Sequence, residues 1–293
     1  MMELLGKVVA SNVSDGLQNL AITDEMGNTW NLKAPLEETF KLNYIYKFQC
    51  NKVIKERVSY TIESYLSIDN LDVAEQDEIL RRFFPASPLT LQESIEIIES
   101  YLKQIQNEII KKITEVILLE AKEKFYIYPA ATRMHHAYVG GLAYHAIGML
   151  RLAKSFLENY PYLKADYVYA GIILHDLGKI KELTGVEATE YTVDGQLLGH
   201  LVIGALEVNR VAIQLGFQNT KEVRSLLHML ISHHGQPQYG AAKRPMTPEA
   251  VALWYIDTID SKFRALGEEL NKTEVDHFTD TIGVLDKVKI YKE

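Results

Sequence analysis

The chain has 293 residues, of which 47% are hydrophobic and 24% charged, and its net charge is −8. This composition is typical of a globular protein and excludes a disordered chain. No apolar run approaches the roughly 18–20 residues that cross a bilayer, which excludes a membrane-spanning protein. The acidic balance argues against general coating of nucleic acid, because phosphate contacts require Lys and Arg. It does not exclude an enzyme that acts on nucleic acid, since bound divalent metals supply positive charge.

Cysteine usage and the first residues indicate the compartment. Cys50 is the single cysteine, so an internal disulfide and a zinc–thiolate site are both excluded. The N-terminal segment lacks the apolar stretch of a secretory signal. We therefore expect a soluble protein of the cytoplasm.

The first 70 residues have the character of β-strands. Short segments rich in β-branched and aromatic residues alternate with turn signals such as DEMGN at 24–28. About five strands in this length suit a small barrel, and both an OB-like and a small SH3-like barrel fit the pattern. The predicted strands are LLGKVVA, NLAITD, TWNLKA, YIYKFQCNKVI and SYTIESYLSI.

This N-terminal module contains many aromatic residues together with a few basic ones. On an OB-like face they suit single-stranded nucleic acid, but small barrels also fill their cores with aromatics. Residues 1–70 contain seven Lys and Arg against nine Asp and Glu, a net charge of −2. We therefore favour weak substrate guidance or oligomer contacts over tight RNA binding. The residues concerned are Trp30, Phe40, Tyr44, Tyr46, Phe48, Tyr60, Tyr65, Lys52, Lys55 and Arg57.

Strand character stops near Asn70, and the rest of the chain has helical patterns. Residues 71–88 are predicted to be a linker with a short helix, closed by Pro85 and Pro88. Thr90 and Glu93 form a capping box at the start of a long helix. Its apolar stripe is Leu91, Ile95, Ile98, Leu102, Ile105, Ile109, Ile113 and Val116. The predicted fold is therefore multidomain, β + α, with a barrel module at 1–70, a linker at 71–88 and an all-α domain at 89–293.

The segment LHDLGK at 174–179 carries the first chemical signal. His175 and Asp176 are neighbours, so their side chains diverge around a helix unless the helix ends there, and Gly178 is consistent with such an end. A metal ion could then bind both side chains. A lone His-Asp pair is weak evidence, because surface and capping roles explain most such pairs.

An ordered set of further histidines and aspartates strengthens this hypothesis. Each lies in or beside an apolar helical pattern, where a neutral residue would be less costly to bury. Histidine and carboxylate ligands together suit first-row divalent ions such as Mn²⁺, Fe²⁺ or Co²⁺. The set comprises His145, His175, Asp176, His200, His233, His234 and Asp257.

The order H…HD…D resembles the signature of the HD superfamily of metal-dependent phosphohydrolases, and His200 with His233 and His234 resembles its two-metal branch. More narrowly, three segments are similar to the YhaM-type (CMP-binding-factor-like) 3′→5′ exoribonucleases, which join an N-terminal OB-fold to an HD domain. These segments are YPAATRMHHAYVGGLAYH, GHLVIG and SHHGQPQYGAAKRPMTPEAVALWYIDTIDSK. The resemblance covers roughly residues 89–265 well and the first 70 residues loosely.

The resemblance implies a site with two divalent metals, most simply Mn²⁺, with Fe²⁺, Co²⁺ or Mg²⁺ as alternatives. One metal would be held by His145, His175, Asp176 and Asp257, and Asp176 would bridge to a second held by His200, His233 and His234. Two metals about 3.5–4 Å apart can activate a water and stabilise attacking and leaving oxygens in line. The implied reaction releases 5′-nucleotides from the 3′ end of short single-stranded RNA, with DNA as a second possibility.

Several further residues are candidates for contact with substrate. Asp176 is the catalytic centre of this prediction, and Lys179 could contact a non-bridging phosphate oxygen, unless it is a solvated lysine at a helix end. The resemblance suggests substrate contact or ligand support for His135 and His136, which could instead form only local hydrogen bonds. Arg244 could clamp a phosphate bidentately, and a surface arginine is about as consistent with the pattern.

Two helical aspartates three residues apart compete for one ligand position. Thr247 and Pro248 are typical of the cap and first position of a helix, and Asp257 and Asp260 would share one face of that helix. Asp257 matches the family's ligand, so Asp260 is predicted to support a histidine instead. His228 and His277 match no motif and are expected to be structural or exposed.

Two other functions remain open. An HD-type phosphohydrolase of small cyclic or free nucleotides would share the same chemistry at phosphorus. The presence of an N-terminal barrel favours a polymeric substrate. The negative net charge of that barrel favours a small one. A non-catalytic nucleic-acid-binding protein with a relict site is the third hypothesis, and the intact ligand set argues against it. The sequence leaves metal identity, processivity and a possible homo-oligomer undetermined.

Overall fold

The computed structural model describes residues 1–14, 16–54, 58–132 and 138–293. Its N-terminal part contains five strands, close to the predicted segments. Alternation of buried and exposed residues along the strands places one face in a core, as a half-buried strand requires. The strands are β1 (Met2–Ser14), β2 (Leu17–Thr23), β3 (Thr29–Ala34), β4 (Ile45–Ile54) and β5 (Val58–Ser67).

The strands close into a barrel in the order β1-β2-β3-β5-β4. β1 is long enough to pair antiparallel with both β2 and β4, and its register shifts between Val8 and Ala10. β3 pairs with β5 in parallel, with Leu32 opposite Tyr60. This Greek-key order is that of a five-stranded OB-like barrel. The prediction of an OB-like module is confirmed.

Most of the predicted aromatic residues fill the barrel. Phe40, Tyr46 and Phe48 are buried, and the ring centroids of Phe40 and Tyr65 lie 4.6 Å apart. Aromatic pairs at such distances pack favourably beyond their buried area. Phe40, Tyr46 and Phe48 therefore belong to the core and are not available for stacking on bases, and the partly buried Tyr65 packs against them.

A second aromatic pair is only partly buried. Trp30 and Tyr60 meet edge to face at 5.5 Å, and the Trp30 Nε1–H donates to Asp24 at 3.0 Å. Exposed Lys52 pairs with Tyr60 across β4 and β5. Lys55 and Arg57 lie outside the described residues. Within the described part of the barrel, these residues and the partly buried Tyr44, whose ring centroid lies 4.8 Å from Lys41 Nζ, are the remaining predicted candidates for base and phosphate contacts.

The chain divides into two compact units, Met1–Ala86 with Gly185–Thr189, and Ser87–Thr184 with Glu190–Glu293. Much of the predicted linker 71–88 is helix α1 (Val73–Phe83), which belongs to the first unit and is N-capped by Asp72. The domain limits at residues 70 and 89 stay predictions.

A short segment from the helical part of the sequence also belongs to the first unit. The Glu187 carboxyl accepts the Ile45 N–H at 2.6 Å. Burial raises the pKa of Glu187 to about 8, despite the N–H donated to it. Nothing in the local sequence announces this contact, because its partners are 142 residues apart.

The second unit is helical, as predicted. Two of its helices begin at side-chain caps that the sequence predicted, the Thr90–Glu93 capping box and the Thr247 cap before Pro248. The helices are α2 (Leu91–Leu102), α3 (Glu108–Phe125), α4 (Gly141–Asn159), α5 (Ala165–Leu174), α6 (Lys179–Glu182), α7 (Val193–Gln214), α8 (Lys221–Ser232) and α9 (Pro248–Lys272).

The single long helix predicted from residue 90 is wrong, because α2 and α3 are separate. Asn107 caps α3 by accepting the N–H groups of Ile109 and Ile110. The Asp166 carboxylate accepts the N–H groups of Gln106 and Asn107 at 2.8 and 3.1 Å. The apolar stripe continues across the break, so periodicity alone could not reveal it.

Helix α5 lies at the centre of this unit and packs against α2, α3, α4, α8 and α9. Its residues from Tyr167 to Leu174 are all buried, so it shows no amphipathic stripe. Because α5 is central, the residues directly after its last turn, beginning with His175, lie in the interior of the unit. Near the C-terminus, two-residue strands at 277–278 and 291–292 pair with each other, which the sequence did not predict.

Among the described residues, no helix combines the length and apolarity that a bilayer crossing requires.

Candidate metal centre

The His175–Asp176 pair lies at the end of α5. The helix stops at Leu174 and His175 is its C-cap, so the two neighbouring side chains can face the same space. The role predicted for Gly178 differs from the observed one. Its φ is −58°, and it is needed because a Cβ there would overlap the backbone carbonyl of His200. Both pair members are buried, at 1% and 5% exposure.

Four other elements deliver the remaining predicted ligands to this place. His145 comes from the buried face of α4, and Asp257 comes from α9. His200 follows a break in α7 at Gly199, where φ is 70°. His233 is the C-cap of α8, and His234 follows it.

The Asp176 carboxylate lies between two groups of histidines. Its Oδ2 is 3.4 Å from His175 Nε2 and 3.9 Å from His145 Nε2. Its Oδ1 is 3.3 Å from His200 Nε2 and 3.8 Å from His233 Nε2. Each oxygen therefore faces a different group, which is the arrangement that a bridging carboxylate requires.

The donor atoms fit a metal ion. Three sets of three residues bring one donor atom each to within 4.8 Å of one another. Three of the Nε2 atoms, those of His175, His200 and His233, are buried without a hydrogen-bond partner in the part of the chain that the structure describes. An unpartnered buried nitrogen is costly, and a metal ion would satisfy it. The three sets are His200, His233 and His234; His145, His175 and Asp176; and His175, His233 and Asp257.

The Nδ1 atom of each of the five predicted histidine ligands forms a hydrogen bond. Nε2 is therefore the ring nitrogen that faces the other predicted ligands. Such contacts orient the ring of a metal-ligating histidine and set its tautomer. Two acceptors are carboxylates and three are backbone carbonyls. The pairs are His145 with Asp260 at 2.8 Å, His200 with Glu182 at 3.0 Å, His175 with the Ile172 carbonyl at 2.8 Å, His233 with the Leu230 carbonyl at 2.7 Å and His234 with the Tyr239 carbonyl at 2.7 Å.

Neighbouring charges and burial set the protonation states of the side chains in the site. Burial would raise the pKa of Asp176, but Lys179 and His175 hold it well below its ordinary range. Burial drives the pKa of His233 well below its ordinary value, so this ring is neutral. Burial opposes charge on His145, yet hydrogen bonds to Asp257 and Asp260 raise its pKa to about 10. A metal ion would replace the proton that His145 Nε2 and Asp257, 3.2 Å apart, share.

Lys179 is largely buried beside the predicted ligands. The alternative considered above, a solvated lysine at a helix end, does not describe it. Its Nζ donates to Asp176 Oδ2 at 2.7 Å, and its side chain is 17% exposed. Burial would lower the pKa of Lys179, but Asp176 raises it, so the ammonium is charged. A fixed positive charge therefore lies directly beside the predicted bridging carboxylate.

The remaining predicted residues that the structure describes lie outside this group. Arg244 is exposed in the loop before α9, and its phosphate contact stays a prediction. His135 and His136 lie outside the described residues. His228 has a structural role, because its Nε2 accepts the Met246 N–H at 2.8 Å. His277 is exposed.

Comparisons with known proteins agree with this geometry. The family model of the HD domain matches residues 142–262. The 3′-5′ exoribonuclease YhaM of Bacillus licheniformis is 36% identical over 292 residues, which cover 98% of this chain and 91% of that protein. The YhaM of Bacillus subtilis (strain 168) gives the same identity and coverage, and that of Geobacillus sp. (strain WCH70) is 35% identical over 298 residues.

The chain belongs to the YhaM family of HD-domain proteins. The HD domain implies the binding of divalent metal, and this YhaM-family chain has buried histidine and aspartate side chains able to hold it. The match extends through the barrel, which sequence inspection related to the family only loosely.

Sequence reasoning missed Glu182 entirely. This buried carboxylate hydrogen-bonds His200, which keeps its pKa low although burial would raise it. In the sequence Glu182 is one acidic residue among many, and its separation of 18 residues from His200 gives no signal of a contact. Asp260, predicted to support a histidine, hydrogen-bonds His145.

Gly235 should be indispensable to this YhaM-family site. It follows the His233–His234 pair with φ of 77°, and a Cβ there would overlap the indole of Trp254 on α9. Gly235→Ala should therefore lower the free energy of unfolding by at least about 2 kcal/mol, from left-handed strain and overpacking. Urea denaturation of the purified variant measures this.

Gly267→Ala is the matched control for that substitution. Gly267 lies within α9, and a Cβ there would have no neighbour within 4 Å. Alanine should raise the stability of the helix by about 0.5–1 kcal/mol. Equal stability of the two variants would contradict the close packing of the turn after His234.

Proposed function

We propose that this chain is a metal-dependent 3′→5′ exoribonuclease that hydrolyses short single-stranded RNA to 5′-nucleotides. The observation that carries the proposal is that the two oxygens of the Asp176 carboxylate face two different groups of histidines. Curated relatives named 3′-5′ exoribonuclease YhaM, similar over nearly the whole chain, supply the reaction and the substrate class.

Two divalent ions, with Mn²⁺ as the first candidate and Fe²⁺, Co²⁺ or Mg²⁺ as alternatives, would be held by this site. When bound, they would lower the pKa of water and stabilise the attacking and leaving oxygens at phosphorus. His145, His175, Asp176 and Asp257 would hold one ion. Asp176, His200, His233 and His234 would hold the other.

The remaining side chains of the site orient and neutralise charge. Lys179 keeps its ammonium beside Asp176 through the 2.7 Å contact, and from there it could donate to a non-bridging phosphate oxygen. Asp260 keeps His145 Nδ1 protonated, so that Nε2 stays directed at Asp257. Arg244, His135 and His136 are proposed contacts of the phosphate backbone.

The barrel would guide the substrate weakly. Trp30 on β3 and Tyr60 on β5 are partly exposed, and Lys52, which pairs with Tyr60 from β4, is exposed, a combination that suits base stacking with a phosphate contact. The net charge of −2 over residues 1–70 argues against a tight RNA interface. The same acidity supports the alternative, a phosphohydrolase of small nucleotides. A homo-oligomer and a cytoplasmic location stay predictions.

A labelled oligomer separates these functions. RNA of about ten nucleotides labelled at its 5′ end should be shortened step by step in Mn²⁺, giving a ladder that retains the label and releasing 5′-mononucleotides. The same oligomer as DNA tests the choice of sugar. Intact RNA together with turnover of a cyclic or free mononucleotide would instead establish the alternative. Binding of RNA without any hydrolysis in Mn²⁺, Fe²⁺, Co²⁺ or Mg²⁺ would establish a non-catalytic protein.

A further inference from the structure

The break in α7 leaves the backbone N–H of His200 without an acceptor inside the helix. Gly199 has φ of 70° and ψ of 159°, so the helix starts afresh at His200. The first N–H groups of a helix have no acceptor within it, and a carboxylate there is favoured by the helix dipole. The Glu182 Oε1 accepts the His200 N–H at 3.0 Å. Glu182 therefore caps the second half of α7.

The same carboxylate also holds the ring of this residue. His200 Nδ1 lies 3.0 Å from each Glu182 oxygen, and His200 Nε2 lies 3.3 Å from Asp176 Oδ1. Since an ionised carboxylate only accepts hydrogen bonds, Nδ1 carries a proton, and Nε2 is the nitrogen left to face Asp176. One side chain thus fixes the backbone of His200 and the proton on its Nδ1.

Close backbone packing holds Glu182 in place. The Thr192 N–H donates to the Glu182 carbonyl at 2.9 Å. A Cβ at Gly195 would overlap that same carbonyl, and a Cβ at Gly178 would overlap the carbonyl of His200. The Glu182 side chain is 10% exposed. Glycines at these two positions therefore allow α6 to approach α7 closely enough for the carboxylate to reach His200.

We propose that Glu182 is the positioning residue for His200 and thereby sets the affinity of one of the two metal positions. The inference rests on the proposed function, since it concerns the same site. The role is specific because His233 and His234, the other ligands of that position, are oriented by backbone carbonyls. Among the histidines of the site, a change of the Glu182 side chain removes the support of His200 alone.

Binding of Mn²⁺ to the purified protein tests the proposal directly. Glu182→Gln has the same shape and can still cap the helix, but it no longer presents two ionised oxygens to Nδ1. Titration calorimetry should show one Mn²⁺ bound as in the wild type and the other bound roughly 10–100-fold more weakly. Saturating Mn²⁺ should restore kcat at an unchanged KM for RNA.

Glu207→Gln is the matched control. Glu207 lies on α7 and pairs with Lys181 of α6 and with Arg210, so its replacement disturbs the same helix pair without touching His200. Both Mn²⁺ affinities should be those of the wild type. If Glu182→Gln also binds both ions with wild-type affinity, the positioning role is wrong. Wild-type protein that bound no metal or left RNA intact would instead count against the proposed function.

A second measurement does not depend on the folding of any variant at Glu182. In ¹⁵N-histidine-labelled wild-type protein, the His200 ring should show a protonated Nδ1. The signal is assigned by its loss in His200→Gln. A ring that carries no proton on Nδ1 would overturn the proposal.

Discussion

Replacing Asp176 with asparagine should reduce the hydrolysis of RNA by at least about 10³-fold, more than the roughly 10–100-fold loss caused by removing a residue that only supports a ligand. The physical reason is that its two oxygens face different histidine groups, Oδ1 toward His200 and Oδ2 toward His175. An amide replaces one of these acceptors with an NH₂ donor and removes the charge. Both groups of histidines then lose the anionic ligand that they share.

Single-turnover kinetics with labelled RNA would measure this loss. Asp194→Asn, on the exposed first turn of α7, removes the same charge away from the site and should leave the rate nearly unchanged. Circular dichroism would verify that Asp176→Asn is folded, since Lys179 loses its partner. Full activity of Asp176→Asn would refute the site assignment itself.

Removing the metal should abolish activity and lower the melting temperature together. The site holds unpartnered Nε2 atoms on His175, His200 and His233, and bound metal ions would satisfy them only in the folded state. At a free concentration 100 times its dissociation constant, one ion stabilises the fold by about 2.7 kcal/mol. For a protein of this size we expect a fall of roughly 5–10 °C on chelation.

Calorimetry and RNA hydrolysis before chelation, after chelation and after Mn²⁺ is restored would test this expectation. Restored Mn²⁺ should recover both properties in the wild type, but it should raise the melting temperature of Asp176→Asn by much less. A chelated protein that keeps its full rate would contradict the metal-dependent mechanism, whatever its melting temperature.

Local sequence was a reliable guide wherever a structure is specified by near neighbours. The five strands follow from alternation and from β-branched and aromatic residues, and the caps at Thr90 and Thr247 follow from side-chain acceptors within one turn. The break between α2 and α3 was missed although Asn107 provides a local cap of the same kind, and the Asp166 carboxylate that also holds the break is about 60 residues away.

The metal centre shows the same division. The sequence by itself determined which residues could bind metal, because buried histidines and aspartates in apolar helices need a partner, and their order matched a known family. Only the tertiary structure decided that Asp176 lies between two groups of histidines. It also decided that Gly178 serves close packing rather than a helix end.

The same limit applies to the closure of the barrel and to the contacts that support the ligands. The sequence determined strands, helices and a set of ligands, since these depend on residue type and short spacing. The parallel β3–β5 pairing, the contact of Asp260 with His145 and the capping of His200 by Glu182 were decided by the fold. Each joins residues distant in the chain, and the free energy that selects such contacts comes from packing that no short segment contains.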